Sequence, residues 1–184
     1  KSIRKVCQCI EEKTEEGFLY RVDLKLRPWG SSGPLCMALD ATEHYYEASS
    51  EPWERFAWLR SRVIFGSEKI GSELIQRLRP FIFRRSLGTD DLEEFLGIKR
   101  DMEKARKRRG HWNIKVGEGG IRDIEFFAQM LQIVNAAEHE ELQKTNTIDV
   151  LSGLASSKVL TIEEKDELVN SYLLTHPFLQ LLRP

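Results

Sequence analysis

Three cysteines in 184 residues, at positions 7, 9 and 36, are too few and too unevenly spaced for a disulfide framework or a thiolate metal site. Cys7 and Cys9 lie two apart, and side chains at that spacing do not face each other on a helix. The odd count fits reduced thiols and hence a cytoplasmic setting. Four histidines, His44, His111, His139 and His176, are scattered and form no ligand cluster. Net charge is also scarce, at −1, so no global pull toward nucleic acid or a membrane surface is expected. No apolar run approaches a bilayer span, and residues 1–10 lack the apolar core of a secretory signal. The first residue is not methionine, so an excised or processed piece is expected. Internal repeats and low-complexity tracts are absent. What is present is an ordinary globular composition, 41% hydrophobic and 31% charged, long enough for one substantial domain or two small ones.

Strand signal is scarce as well, and the one clear instance is informative. Over residues 18–27, Phe18, Tyr20, Val22, Leu24 and Leu26 alternate with Leu19, Arg21, Asp23, Lys25 and Arg27. On a strand the first set covers a core and the second forms a charged row, with one carboxylate among three cations. Asp23 in that row suits a hard metal ion, and its cationic neighbours suit the phosphates such an ion accompanies. The plain alternative is the solvated face of an antiparallel sheet. A lone strand is not a sheet, so its partners are expected in sequence before Lys1.

Helical signals dominate the rest. Residues 1–16 read as a helix stopped by Gly17, and 29–34 read as a loop rich in Gly, Ser and Pro. Asp40 to Glu43 has the spacing of a capping box, as does Thr161 to Glu164. Pro52 opens a helix expected to run to Phe65. A helix over 72–78 is expected to be interrupted by Pro80, and Thr89 to cap a long helix with acids at its start and cations at its end. Glu118-Gly119-Gly120 leads into a helix ending near Ala137. A final helical pair spans 145–160 and 161–175, with a break expected at His176-Pro177. The expected division is residues 1–34 and a helical domain over 35–184.

Two charged side chains sit awkwardly on these helices. Projected at ~100° per residue, Arg60 falls among Trp53, Phe56, Ala57, Val63 and Ile64. It is therefore expected to be largely buried against an acid or a bound anion. Asp123 lies at the edge of the face formed by Ile121, Ile124, Phe127, Ala128, Leu131 and Val134, and is expected to meet a cation. The two glycines before this helix, with Lys115 nearby, offer an anion site; the plain alternative is a flexible loop. The cluster Arg106 to Arg109 reads as a solvated helix end, and Arg84-Arg85 as a basic pair beside aromatics.

Taken together, several segments resemble one family. They are Arg21-Val-Asp-Leu-Lys-Leu-Arg-Pro28, Gly30-Ser-Ser-Gly33, Tyr45-Tyr46, Trp53-Glu-Arg55, Arg60-Ser-Arg62 and Ile114-Lys-Val-Gly-Glu-Gly-Gly-Ile-Arg-Asp-Ile-Glu-Phe126, in that order. The family is the glutamine synthetase adenylyltransferases, or glutamate–ammonia-ligase adenylyltransferases. The segment Leu78-Arg-Pro-Phe-Ile-Phe-Arg-Arg85 and the Gly-Gly-Ile-Arg form of the second anchor are more similar to the deadenylylating half. The resemblance implies a mainly α chain: a helical bundle preceded by the last helix and strand of a polymerase-β-like nucleotidyltransferase α/β domain. It implies Mg²⁺, ATP, ADP and phosphate as cofactor and substrates. It implies glutamine synthetase and a PII-type nitrogen-signalling protein as partners, with no nucleic acid or membrane. Asp23 matches the third metal carboxylate of that superfamily, while the Gly-Ser and Asp-x-Asp element is not in this sequence. The resemblance places Lys25 and Arg27 near phosphates and Lys115, Gly119, Gly120, Arg122 and Glu125 on the cleft. Two other readings are a non-catalytic helical interaction module and a uridylyltransferase of a nitrogen-signalling protein. Trp53-Glu-Arg55 and the second anchor speak against the latter.

Overall fold

The computed structural model describes residues 2–15, 17, 19–20, 22–84, 89–109 and 119–181. Among them are eight α-helices: α1 (Ser2–Glu11), α2 (Leu39–Ala48), α3 (Trp53–Leu59), α4 (Glu68–Ile82), α5 (Thr89–Arg109), α6 (Ile121–Asn135), α7 (Thr147–Ser156) and α8 (Ile162–Leu181). The chain divides into two compact units, Lys1–Ser50 and Glu51–Pro184.

In the first unit the charged segment departs from expectation. Residues 22–25 have no regular structure, and the described residues contain no strand. The β-pairing nearby is a single bridge between Thr14 and Gly17. Alternation supplies a face, but a strand is defined by a ladder, and the segment has no partner to make one. Its apolar side is consequently uncovered: Tyr20 is 72% and Leu26 64% exposed. Local bonds shape the segment instead. The Val22 N–H donates to Glu11 Oε1 at 3.1 Å and the Tyr20 N–H to the Ile10 carbonyl at 3.3 Å, tying it to the end of α1.

The loop that follows is tightly specified. Trp29 and Gly30 both take left-handed backbone, with φ of 56° and 55°. Arg27 holds the loop closed, its Nε and Nη2 donating to the Gly33 carbonyl at 3.3 and 3.1 Å and Nη2 also to Ser31 O at 3.3 Å. A Cβ on Gly33 would lie 1.9 Å from the Pro28 carbonyl oxygen. Gly33→Ala must therefore open the loop, at a cost of about 1–3 kcal/mol. Faster amide exchange across residues 27–33 is the expected result, and an unchanged rate would show the loop adapts freely. Beyond it, α2 buries Thr42, Tyr45 and Tyr46. Its N-cap is Ala38, with no side-chain cap. The capping box expected at Asp40 does not form, because the helix starts earlier and Asp40 lies within its first turn.

The second unit has a core between α6, α7, α8 and a 3-10 turn at Glu140–Leu142, where Ile124, Ala128, Leu142, Val150, Leu151 and Leu154 are buried together. Close approach is set at Gly153, where a Cβ would meet Leu142 Cδ2 at 2.9 Å. Gln132 is buried among these helices, and its Nε2 donates to the carbonyls of Leu142 at 2.6 Å and Lys144 at 2.7 Å. A second cluster joins α3, α5 and α6 through Phe56, which meets Phe95 edge-on at 5.1 Å and stacks on Phe126 at 5.4 Å.

Helix boundaries confirm some expectations and correct others. Thr161 and Glu164 form the expected capping box: Glu164 N–H donates to Thr161 Oγ1 at 3.1 Å, and Thr161 N–H to Glu164 Oε2 at 2.8 Å. These Thr161 hydrogen bonds, backbone first, hold the exposed Glu164 carboxyl below its ordinary pKa. A depressed folded pKa gives support that is present above the unfolded value and lost as pH falls through the folded one. Acidification is thus expected to fray the start of α8, seen as faster amide exchange at residues 161–165, and Glu164→Gln to remove most of that pH dependence. α3 ends at Leu59 instead of near Phe65, while α4 runs through Pro80 and α8 through Pro177. A proline removes one donor and strains one turn, and helix resumes on the far side in both cases.

Candidate functional site

In the first unit, Asp23 and Lys25 are both exposed on the segment leading to the Trp29 loop. Asp23 Oδ1 accepts the Lys25 N–H at 2.9 Å, and the Lys25 carbonyl accepts the Arg27 N–H at 2.9 Å. These two turns replace the ladder a strand would have had. They leave the Asp23 carboxylate and the Lys25 ammonium on one short exposed stretch, where Leu24 and Leu26 are exposed as well. Arg27 is placed differently: its guanidinium is engaged with Ser31 and Gly33 carbonyls.

Mg²⁺ coordination calls for about six oxygen ligands, usually one or two carboxylates with phosphate and water. Among the described residues no group of three His, Cys, Asp or Glu side chains gathers to hold a metal. The described residues therefore do not make a Mg²⁺ site by themselves; Asp23 offers a single carboxylate.

In the second unit, Gly119 has φ +69° and Gly120 is the extended N-cap of α6. Asp123, in the first turn, reaches back so that Oδ2 accepts the Gly119 N–H at 3.1 Å. Its Oδ1 meets Lys99 Nζ at 2.9 Å. The cation expected for Asp123 is thus Lys99, on α5. The positive end of α6 is already occupied by a carboxylate of its own helix, which weakens its reading as an anion site. Arg122 is exposed in the same turn. Glu125 lies 3.6 Å from Arg60 Nη2 and accepts from Tyr172 Oη at 3.3 Å, linking α6 to the end of α3 and to the middle of α8. Lys115 lies outside the described residues.

Arg60 has the acidic partner expected, Glu125, and also donates to Thr145 O at 3.0 Å and Thr147 Oγ1 at 2.5 Å. It is not largely buried, however: its side chain is 34% exposed. Among the described residues Arg55 is buried instead, with its side chain 3% exposed, 3.8 Å from Asp91 and 5.5 Å over the Phe81 ring. The cause is the helix end. Val63 and Ile64 do not belong to α3, so they do not define its inner face, and Ile64 is 83% exposed.

Comparison with known proteins gives two family matches. Residues 3–77 match the family described as glutamate-ammonia ligase adenylyltransferase. Residues 94–183 match the family described as GlnD PII-uridylyltransferase. Curated relatives are bifunctional glutamine synthetase adenylyltransferase/adenylyl-removing enzymes. The one from Thioalkalivibrio sulfidiphilus is 40% identical over 175 residues, covering 92% of this chain and 18% of the relative. Those from Nitrosococcus oceani and Pseudomonas aeruginosa are 38% and 37% identical over the same 92% of the chain, and 18% and 17% of their own lengths. The chain thus spans less than a fifth of these relatives. Over nearly its whole length it is similar to one segment of these relatives.

Proposed function

We propose that this chain works as a segment of a bifunctional enzyme that adenylylates and deadenylylates a tyrosine of glutamine synthetase, and that it comes from the deadenylylating half. The observation that carries the reading is similarity to enzymes of that name over 92% of the chain. The segment 78–85 and the Gly-Gly-Ile-Arg form at 119–122 favour the deadenylylating half. The setting is cytoplasmic, with ATP, ADP and phosphate as nucleotide substrates and products and a PII-type protein as regulatory partner.

In the deadenylylating direction, an orthophosphate oxygen attacks the phosphorus of the adenylyl group. The bond from phosphorus to the tyrosine oxygen breaks, giving ADP and, after protonation, the free tyrosine hydroxyl. Every species around that phosphorus is anionic, so the protein's task is positioning and charge compensation. Lys25 supplies a cation toward the phosphates, and Arg27 fixes the loop beside it. Asp23 contributes one carboxylate toward Mg²⁺, which when bound neutralises phosphate charge. In the second unit the family resemblance assigns Lys115, Gly119, Gly120, Arg122 and Glu125 to nucleotide binding, and Arg122 is exposed there.

The uridylyltransferase reading has an observation of its own, the match over residues 94–183. It is weaker, because the match over residues 3–77 and the named relatives belong to the adenylyltransferases. The test is phosphate-dependent ADP release from adenylylated glutamine synthetase by the full-length protein, with uridylylation of a PII-type protein measured in parallel. Activity in the second assay alone would overturn the proposal.

A further inference from the structure

The loop over residues 27–33 spends conformational energy on one side chain. Trp29 adopts φ 56°, a backbone region costly for a bulky residue, and yet it remains 54% exposed. Burial therefore does not explain the strain. The loop is nevertheless built to hold that conformation. The Arg27 fork grips the Ser31 and Gly33 carbonyls, and Gly33 leaves no space for a Cβ against Pro28. The indole is also oriented: it meets the buried ring of Tyr45 edge-on at 4.7 Å, and Tyr45 meets buried Tyr46 edge-on at 5.0 Å. The result is a large aromatic surface, fixed from behind and partly open to solvent.

A Cβ on Gly30 would lie 3.7 Å from the Lys25 carbonyl oxygen, so the loop folds back against the Lys25 backbone. The Lys25 N–H is in turn held by the Asp23 carboxylate. One short stretch of the first unit thus carries an exposed carboxylate, an exposed ammonium and an oriented indole. A ligand with a polyphosphate at one end and a flat aromatic ring at the other matches that order.

We infer that Trp29 is the stacking surface for the purine base of the nucleotide, with Arg27 as the positioning residue that presents it. The inference rests on the nucleotidyl-transfer reading above and assigns the base-recognition part of that site. Stacking of a base on an aromatic side chain is tolerant of ring identity and lost when the π-face is removed. A phenylalanine at position 29 keeps the role, whereas a leucine keeps apolar bulk without it.

The test is calorimetric binding of ADP and of tripolyphosphate to the full-length protein, as wild type, Trp29→Phe and Trp29→Leu. Expected is a roughly ten- to hundred-fold weaker Kd for ADP in Trp29→Leu. Tripolyphosphate affinity should be unchanged, and Trp29→Phe should lie near wild type. Equal ADP affinity in wild type and Trp29→Leu would overturn the inference while leaving the proposed function intact. Failure of wild type to bind either ligand would overturn the proposed function instead. Parallel loss of ADP and tripolyphosphate binding in Trp29→Leu would make Trp29 a structural residue and also overturn the inference. Should Trp29→Leu not fold, Trp29→Met takes its place: weaker ADP binding with unchanged tripolyphosphate binding is expected, and ADP affinity equal to wild type would overturn the inference.

Discussion

Asp23→Asn in the full-length protein is expected to cut phosphate-dependent ADP release from adenylylated glutamine synthetase roughly 10²- to 10³-fold, the scale of losing one preorganised electrostatic group at a charged transition state. The substitution is well suited to the question because of what it keeps. Asp23 is exposed, and its bond to the structure is Oδ1 accepting the Lys25 N–H at 2.9 Å. Asparagine retains an oxygen acceptor, so the turn that positions Lys25 survives and only the negative charge is lost. A loss of activity with an unchanged melting temperature therefore reports on charge toward the phosphates and metal. The 184 residues alone should show no turnover, because the Gly-Ser and Asp-x-Asp element of the superfamily is not in their sequence and Asp23 is one carboxylate where a metal clamp needs several. A full-length protein indifferent to Asp23→Asn would make the charged face of residues 19–27 ordinary solvated surface. A 184-residue chain that released ADP at the full-length rate would move the active site elsewhere.

What could be read from the residues beforehand depended on how local the physics was. The Thr161–Glu164 box forms as expected because both of its bonds lie within one turn and need nothing from the rest of the fold. Asp123 was assigned a cation, since a carboxylate on the rim of an apolar stripe has few other solutions, although nothing in the periodicity pointed to Lys99 in particular. The Asp40 box failed for a local reason too: Ala38 starts the helix without a side-chain cap, which moves Asp40 inside. Arg60 and Arg55 show how one misplaced boundary propagates. Arg60 is the C-cap of α3, just past its last residue, so a helical projection no longer places its side chain in the core. The alternation at 18–27 was real, but a strand is a relation between two segments, and periodicity in one cannot supply the other. Within the candidate site, Asp23 and Lys25 are exposed, but so are Leu24 and Leu26, so the alternation did not separate a covered side from an open one. The bonding of Arg27 to its own loop, and the exposure of Trp29, depended on left-handed backbone at residues 29 and 30 that composition only hints at.

Gln132 was the least legible of the important residues, and substitutions there should have the largest effect on stability in the second unit. It lies in α6 with nothing in its spacing to separate it from a surface glutamine, yet it is 2% exposed. Its amide nitrogen donates to two carbonyls in the segment before α7, those of Leu142 and Lys144. Neighbouring Gln143 answers with a bond from its own Nε2 to the Ala136 carbonyl at 2.8 Å, so the turn between α6 and α7 is pinned from both sides. Gln132→Leu keeps much of the volume and removes the side-chain donor shared by the two carbonyls, although Leu142 O keeps the Lys144 N–H at 2.8 Å. At about 1–3 kcal/mol for a buried polar group that loses its partner, the loss should be about 1–3 kcal/mol. That corresponds to a melting temperature lower by roughly 2–12 °C for a chain of this size. Gln132→Glu is the sharper test. It is nearly isosteric, but it turns the donor into an acceptor facing two carbonyl oxygens, so burial and repulsion both favour its protonated form. A folded pKa raised in this way makes the variant best tolerated at low pH, and destabilisation grows as pH rises above the ordinary glutamate value toward the raised one. Thermal unfolding of wild type, Gln132→Leu and Gln132→Glu between acidic and neutral pH should therefore show two behaviours. The leucine variant should be weakened at every pH, and the glutamate variant increasingly so toward neutrality. Melting curves that stay parallel for wild type and Gln132→Glu across that range would mean the side chain reaches water, and that the α6–α7 turn is held by its apolar contacts alone.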